Sequence, residues 1–327
     1  SDQVVLTESA DGGSITLTPQ WGYVAGLFLG DGCAGNNDTW LGISHGRYDS
    51  YSEWRSTIRD AVEDVGLEIR TQKNCRDSRI LGGVKTMRLF EDIELVGPVD
   101  KSKRGRKTIR VPSWVLRGGR ETIWQFIAGL FDADGTASLV AGPNISTAYH
   151  EFAGQLITLL RYAGIQSSIN KSWNKEYQRY YWKVAVLAES VDSFIELCPS
   201  RLPEKFDRVK AYAKKITKRD KFRFNEVLMV LDGGDRDVYD FHVRNEDHLY
   251  LQGGLVGHNN CVTADAMLLT EHGLLEMGEV VTGPDRTKKR IGIMSDDGQI
   301  RYTDSTWSPG IKPVVDVNLE YGIKLTA

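Results

Sequence analysis

The sequence predicts an α+β protein in two parts: a duplicated helix-and-sheet unit and an all-β domain. Three observations carry this. Two apolar runs of helical length, Trp21–Gly32 (WGYVAGLFLGDG) and Trp124–Gly135 (WQFIAGLFDADG), both end in Asp-Gly. Each run is followed by the same order of short strands and an amphipathic helix. From about Asn225 basic residues thin out, and strand-like pieces separated by turns take over.

Aligned on the closing Asp-Gly, the runs match at Trp21/Trp124, Ala25/Ala128, Gly26/Gly129, Leu27/Leu130, Phe28/Phe131, Asp31/Asp134 and Gly32/Gly135. Each departs from what a lone helix prefers. An interior Gly costs roughly 1 kcal/mol against Ala, which makes sense if the missing side chains let two helices touch almost backbone to backbone. A carboxylate at a helix C-terminus faces partial negative charge. Two such ends side by side place Asp31 and Asp134 together, which is tolerable only with a cation between them. The pattern predicts a metal site built by internal duplication.

Both runs resemble the signature of LAGLIDADG homing endonucleases. AGLFDADG departs little from it; the first run is looser, with Leu29-Gly30 where the second has Asp132-Ala133. The resemblance implies that Asp31 and Asp134 bind a divalent cation, Mg2+ or another. It also implies that the motif helices form the interface between two DNA-binding halves. Each half then contributes an antiparallel sheet along the major groove, which admits a two-stranded ribbon.

In chain order, Ser1–Leu6 and Ser14–Thr18 read as short strands before the first motif. The stretch Gly35–Ser50 holds two strand-like pieces, and Glu53–Val65 is an amphipathic helix closed by Gly66. Leu67–Arg70 and Lys85–Phe90 read as strands. The second half repeats the order with a strand at Thr136–Val140 and a helix at Glu151–Ala163 closed by Gly164. Strands at Gln166–Ile169 and Tyr180–Leu187 and a helix at Ser190–Leu197 follow.

The net charge of −3 and pI of about 6.1 do not advertise a nucleic-acid binder, so local charge has to carry that case. Lys171, Trp173, Lys175, Tyr177, Arg179, Tyr180, Tyr181, Trp182 and Lys183 interleave cations with aromatics. The bland alternative is a half-exposed sheet with ordinary cross-strand pairs. Lys101–Arg110, with Lys101, Lys103, Arg104 and Arg106, is a second basic run, and Lys205–Arg223 a third. One such run is usually a solvated face; three inside one duplicated unit favour phosphate contacts to double-stranded DNA. Lys73, Lys85, Lys171 and Lys183 are candidates for a lysine assisting the metal.

The 4 cysteines lie far apart without CxxC spacing, against a zinc ribbon or disulfide framework and for a reducing compartment. No run approaches the length of a membrane span and no secretory signal opens the chain. The expectation is a soluble, cytoplasmic monomer.

Val238–Asn259 (VYDFHVRNEDHLYLQGGLVGHN) resembles the C-terminal splicing blocks of inteins, with Asp240, His248, His258 and Asn259 where that family has them. The chemistry explains the residue types. An Asn amide can attack its own main-chain carbonyl, form a succinimide and break the chain, and an imidazole can serve as acid or base near neutral pH. Cys261–Val281 resembles the start of an intein, where a first Cys takes the upstream acyl group as a thioester. Asn260 is either a one-residue remnant of flanking host sequence or itself the cyclising Asn.

Strand-like pieces at Ile291–Ser295, Gln299–Thr303 and Val314–Leu319 suit a compact β domain, and the chain stops at GIKLTA (Gly322–Ala327), where inteins continue into a Thr-x-x-His block. The order, end of intein before beginning of intein, implies a circularly permuted intein. Its all-β horseshoe (Hint) domain would comprise 1–15 and 225–327, the latter from a C-terminal block 225–260 and an N-terminal block 261–327. The endonuclease would occupy 16–224, with halves of about 16–110 and 111–224. The function so implied is site-specific double-strand DNA cleavage with Mg2+ joined to protein splicing out of host exteins. An insert that only binds DNA or is structural is the alternative, and a duplicated transcription regulator a third reading.

Overall fold

The computed structural model describes residues 4–6, 15–35, 40–45, 52–71, 75–99, 105–216, 226–244, 248–252, 255–258, 261–281, 290–295, 299–319 and 324–326. Strands β1 (Val4–Leu6) and β2 (Ile15–Leu17) pair antiparallel and lead into helix α1 (Pro19–Asp31). Pro19 suits the first turn, where its missing N–H has no partner to lose. Then come β3 (Gly32–Ala34), β4 (Leu41–Ser44), α2 (Ser52–Glu63), β5 (Ile69–Thr71), β6 (Asp77–Ile80) and α3 (Gly83–Asp92). The strands form one antiparallel sheet in the order β3-β4-β6-β5. The strand expected at Lys85–Phe90 is instead part of α3. Thr86, Met87 and Phe90 all turn inward from one helix face, a spacing that six residues alone do not separate from strand alternation.

The second half runs α4 (Ser113–Leu116), α5 (Arg120–Asp134), β7 (Gly135–Thr136), β8 (Asn144–Thr147), α6 (His150–Tyr162), β9 (Ser167–Asn174) and β10 (Arg179–Val186). A 3-10 turn at Ala188–Ser190 then precedes α7 (Val191–Leu197) and α8 (Pro203–Ala213). Its sheet has the order β7-β8-β10-β9, the arrangement of the first. The expected strand Thr136–Val140 shrinks to β7. The Ser138 hydroxyl accepts the N–H groups of Val140 and Ala141, which turns the chain and leaves Val140 91% exposed.

Helices α1 and α5 pack along their length at the centre of the larger core. Matching motif residues meet matching aromatics. Trp21 and Phe28 set their edges on Phe90, while Trp124 and Phe131 do the same on Phe194.

The rest is β-rich: β11 (Val227–Val243), β12 (Leu249–Gln252), β13 (Leu255–His258), β14 (Val262–Thr263), β15 (Met267–Thr270) and β16 (Gly273–Glu276). One helical turn, α9 (Met277–Val280), is followed by β17 (Gly292–Met294), β18 (Ile300–Leu319) and β19 (Lys324–Thr326). Long β11 and β18 pair antiparallel from Val227↔Leu319 to Val243↔Thr303. The separate strands expected at Gln299–Thr303 and Val314–Leu319 are one strand. Its Ser-Pro-Gly segment is a bulge rather than a turn, because β11 keeps pairing across it while Gly310 takes a φ of 86°. Phe241, Tyr250, Leu268, Met277 and Ile293 make a second core. The two parts touch directly: Arg117 pairs with Glu279 at 2.8 Å, and Tyr162 donates to the carbonyl of Met267.

Candidate active site

Glycines set the distance between α1 and α5. A Cβ on Gly26 would lie 2.1 Å from the Phe126 carbonyl oxygen, and one on Gly129 2.0 Å from that of Tyr23. The backbones touch, and the contact is reciprocal. One turn on, a Cβ on Gly30 would lie 2.4 Å from the Ala133 Cβ. The looser spelling of the first motif therefore has a packing cause: a methyl on one helix fits against a bare Cα on the other.

This approach brings the acidic ends together. The Asp134 carboxyl carbon lies 3.5 Å from where a Gly30 Cβ would sit, beside Asp31. Loss of water, then repulsion from Asp134, pushes the half-buried Asp31 up to about 6, while Lys205, Lys107 and a hydrogen bond from Trp54 hold it down. Asp134 is the more exposed of the two. Crowding by protein still raises its carboxyl, against the charges of Lys107 and Lys205.

Those two lysines are the residues that reading the sequence missed. Lys107 donates to the carbonyls of Leu29 (3.0 Å) and Gly30 (2.8 Å), capping the end of α1. Lys205 donates to the carbonyls of Phe131 (3.1 Å), Asp132 (2.6 Å) and Ala133 (3.3 Å), capping the end of α5. Each ammonium bonds carbonyls of the last helical turn, that of Phe131 also receiving the Gly135 N–H, and offsets the negative helix end. Burial pushes both lysines down, and the aspartates partly restore them. The signal was present: two helix ends without their own basic last turn need a cation from elsewhere.

The four lysines named from the sequence are not these. Lys85 stands on α3 beside a cleft lined by Gly66, Leu67 and Gly82. The Lys171 ammonium lies 4.1 Å from the centre of the Tyr180 ring, and Lys183 sits in mid-β10 opposite Asn170 and Ser146. Lys73 lies outside the described residues, as do Lys101, Lys103 and Arg104. Arg106 is a correction to the phosphate-binding set. It is 5% exposed, its guanidinium pairs with Glu91, and its Nε donates to the Gly97 carbonyl at 2.9 Å. An arginine so enclosed cannot reach a phosphate; it braces the loop that carries Lys107.

The β9–β10 hairpin presents its cations and rings outward while pairing them across the strands. Trp173 stands opposite Tyr180 with ring centres 4.9 Å apart, and Arg179 donates to the Tyr181 hydroxyl at 2.8 Å. Trp173, Tyr177, Tyr180, Lys175 and Arg179 are all exposed.

In the β-rich part, the Cys261 thiol lies 3.8 Å from Asp240, and burial, then the Asp240 charge, raises its pKa. His248 has a φ of 50° and places Nδ1 2.9 Å from the Val243 carbonyl. A carbonyl only accepts, so Nδ1 carries the proton and Nε2 is the basic nitrogen. His258 is exposed at the end of β13, opposite Leu249. Asn259 and Asn260 lie outside the described residues. Unforeseen from the sequence, His242 lies against His248, the rings tilted at 46° with centres 4.6 Å apart, and its Nδ1 is 2.9 Å from the Asp304 carboxylate.

Among the described residues no group of three or more His, Cys, Asp or Glu is placed to hold a metal ion. The Asp31–Asp134 pair nonetheless suits a hard cation. Mg2+ keeps several waters and takes one or two carboxylates together with substrate phosphates. Two crowded carboxylates with raised pKa values are a donor set that such a cation relieves.

Residues 121–199 match the family described as a LAGLIDADG-like domain. Elongation factor 2 of Methanopyrus kandleri is 26% identical over 194 residues, which cover 59% of this chain and 14% of that protein. The DNA polymerase of Thermococcus hydrothermalis is 23% identical over 343 residues, covering 84% of this chain and 18% of the polymerase. The chain thus spans under a fifth of the length of these curated relatives. Among solved structures, the homing endonuclease I-DmoI in complex with DNA and Mn is 11% identical with a TM-score of 0.40, over 55% of this chain and 96% of that one. The DnaX mini intein from Spirulina platensis is 12% identical with a TM-score of 0.19, over 48% of this chain and 77% of that one.

Proposed function

We propose that this chain carries an intein-encoded endonuclease making a divalent-cation-dependent double-strand break in an intein-less host gene, joined to an autocatalytic splicing domain. The observation that carries the reading is the meeting of Asp31, Asp134, Lys107 and Lys205 at the abutting ends of α1 and α5. Asp31 and Asp134 would hold the cation, each serving mainly one DNA strand. When bound, Mg2+ supplies activation of water and stabilisation of the leaving oxygen. Lys107 and Lys205, poised by burial to give up a proton more readily than an exposed lysine, place positive charge beside the phosphates being cut. Lys171, Lys175 and Arg179 would hold the double-stranded DNA backbone, and the exposed rings of Trp173 and Tyr180 add contact area.

In the splicing part, Cys261 is the nucleophile, and Asp240 stands beside its thiol and keeps it protonated at rest. His248 and His258 serve the Asn cyclisation. The chain order is that of a circular permutation, in which host exteins are reduced to Asn260 or nothing. Endonuclease 16–224 and splicing segments 1–15 and 225–327 are the corresponding domains, in a monomer working in a reducing intracellular compartment. No helix among the described residues is long and apolar enough to cross a membrane.

Incubation with DNA carrying the uninterrupted host-gene junction, with Mg2+ or with EDTA, tests the endonuclease. A double-strand cut that needs the cation supports it. Binding without any cut, in an intact protein, would assign the chain instead to an inactive, DNA-binding insert.

A further inference from the structure

The motif helices differ at one buried position. Where α1 has Leu29, packed in the core, α5 has Asp132, only 1% exposed. A carboxylate so enclosed is costly unless hydrogen-bonded. It accepts from the Tyr23 hydroxyl at 2.7 Å, the Ser200 hydroxyl at 2.5 Å and the Arg201 backbone N–H at 2.7 Å. Burial raises the Asp132 carboxyl, and these bonds oppose the rise.

Two of the three donors belong to the turn between α7 and α8. That turn leads through Leu202 into Pro203, and Lys205 stands in the first turn of α8. Asp132 holds the same segment again through its main chain, since its carbonyl receives the Lys205 ammonium at 2.6 Å. Arg201 ties the turn to the first half, lying 4.5 Å over the Tyr23 ring and pairing with Asp64 at 2.6 Å. Lys107 is placed by other means, following the buried Arg106 with its Glu91 and Gly97 partners. Its helix offers only the apolar Leu29 at the corresponding position.

We propose that Asp132 is a positioning residue for Lys205, and that it makes the two halves of the site unequal. The DNA strand served by Lys205 depends on Asp132; the strand served by Lys107 does not. The strand assignment rests on the endonuclease reading, whereas the positioning of Lys205 can be measured without any cleavage.

Three variants of the full chain separate these claims: Asp132→Asn, Ser200→Ala and Tyr23→Phe. Limited acetylation with acetic anhydride, read by peptide mass spectrometry, reports how well each lysine is held. Labelling of Lys205 is expected to rise about threefold in Asp132→Asn, on loss of about one hydrogen bond's worth of restraint, and at least as much in Ser200→Ala, which also removes the acceptor of the Leu202 N–H. Lys107 should stay unchanged. Tyr23→Phe removes the one donor that lies outside the α7–α8 turn and should leave Lys205 as protected as before, a contrast that general loosening of the fold would not produce. Unchanged Lys205 labelling in both Asp132→Asn and Ser200→Ala, or equal gains at Lys107, overturns the positioning role. On a target labelled on each strand in turn, Asp132→Asn should slow one strand about tenfold and spare the other. Equal slowing of both overturns the inequality. A wild-type protein that cuts neither strand defeats the endonuclease reading, and the acetylation result still decides the role of Asp132.

Discussion

Replacing Asp31 by Asn keeps the size of the side chain and removes one charge from a crowded pair. The Asp31 carboxyl is pushed from 3.8 up to about 6. At 1.36 kcal/mol per unit, ionising it inside the fold costs at most about 3 kcal/mol. Solvent at its open side reduces this to roughly 1–2 kcal/mol. The native protein binds more protons than the unfolded chain between about pH 4 and 6, so this contribution makes stability fall as pH rises through that window. Asp31→Asn should therefore gain roughly 1–2 kcal/mol at pH 7.5, a few degrees in melting temperature, and nothing at pH 4. Millimolar Mg2+ should raise the melting temperature of the wild type more than that of the variant, because the cation neutralises what the substitution has already removed. Double-strand cleavage of supercoiled target should be abolished or severely slowed in Asp31→Asn and equally in Asp134→Asn, leaving at most a nick in one strand, with DNA binding kept. Thermal melts at the two pH values, with and without Mg2+, and a nicking assay check all of this. A normal rate of double-strand cutting by Asp134→Asn would refute the metal site and leave the motif helices with a packing role alone. The same gain in stability at pH 4 and 7.5 would refute charge as its cause.

Gly26→Ala sets helix propensity against packing. Propensity alone favours Ala by about 1 kcal/mol, but the new Cβ would fall 2.1 Å from the Phe126 carbonyl oxygen. A net loss of about 2 kcal/mol or more in urea unfolding is expected, and a gain would contradict the close helix approach. Replacing Lys171, Lys175 and Arg179 together should weaken DNA binding and make the log–log salt slope shallower by about 0.9 for each phosphate the protein no longer neutralises; unchanged affinity at low salt would rule that face out. Asp240→Asn removes a negative charge that holds the Cys261 thiol protonated, so iodoacetamide should alkylate Cys261 faster at pH 8, and an unchanged rate would uncouple the two. Mass spectrometry after a day at neutral pH should show an intact chain or a slow break beside Asn259, whereas a rapid, complete break between Asn260 and Cys261 would transfer cyclisation to Asn260.

Much of the centre of this molecule could be read from residues alone. Ala-Gly inside an apolar run and Asp-Gly at its end occur twice, and each is unfavourable for a solitary helix. Only a close helix pair with its ends together makes sense of both, and α1 and α5 pack in that way. Local pattern also marked α2, α6 and α7, whose apolar spacing is long enough to separate a helix from a strand. Over the six residues Lys85–Phe90 it was not long enough, and the tertiary core, which takes Met87 and Phe90 on one side, made that segment a helix. Partner strands decided β18 in the same way, since β11 pairs across a segment that looks like a turn on its own. The need for a cation at each helix end was legible, but which lysines meet it was decided by the tertiary structure. Lys107 and Lys205 each lie in a basic run that resembles its neighbours, and each is distant in sequence from the Asp it faces. Carbonyls left open at a helix C-terminus attract whatever cation the returning chain brings, and the path of that return is set by the packing of whole half-domains, not by any local motif.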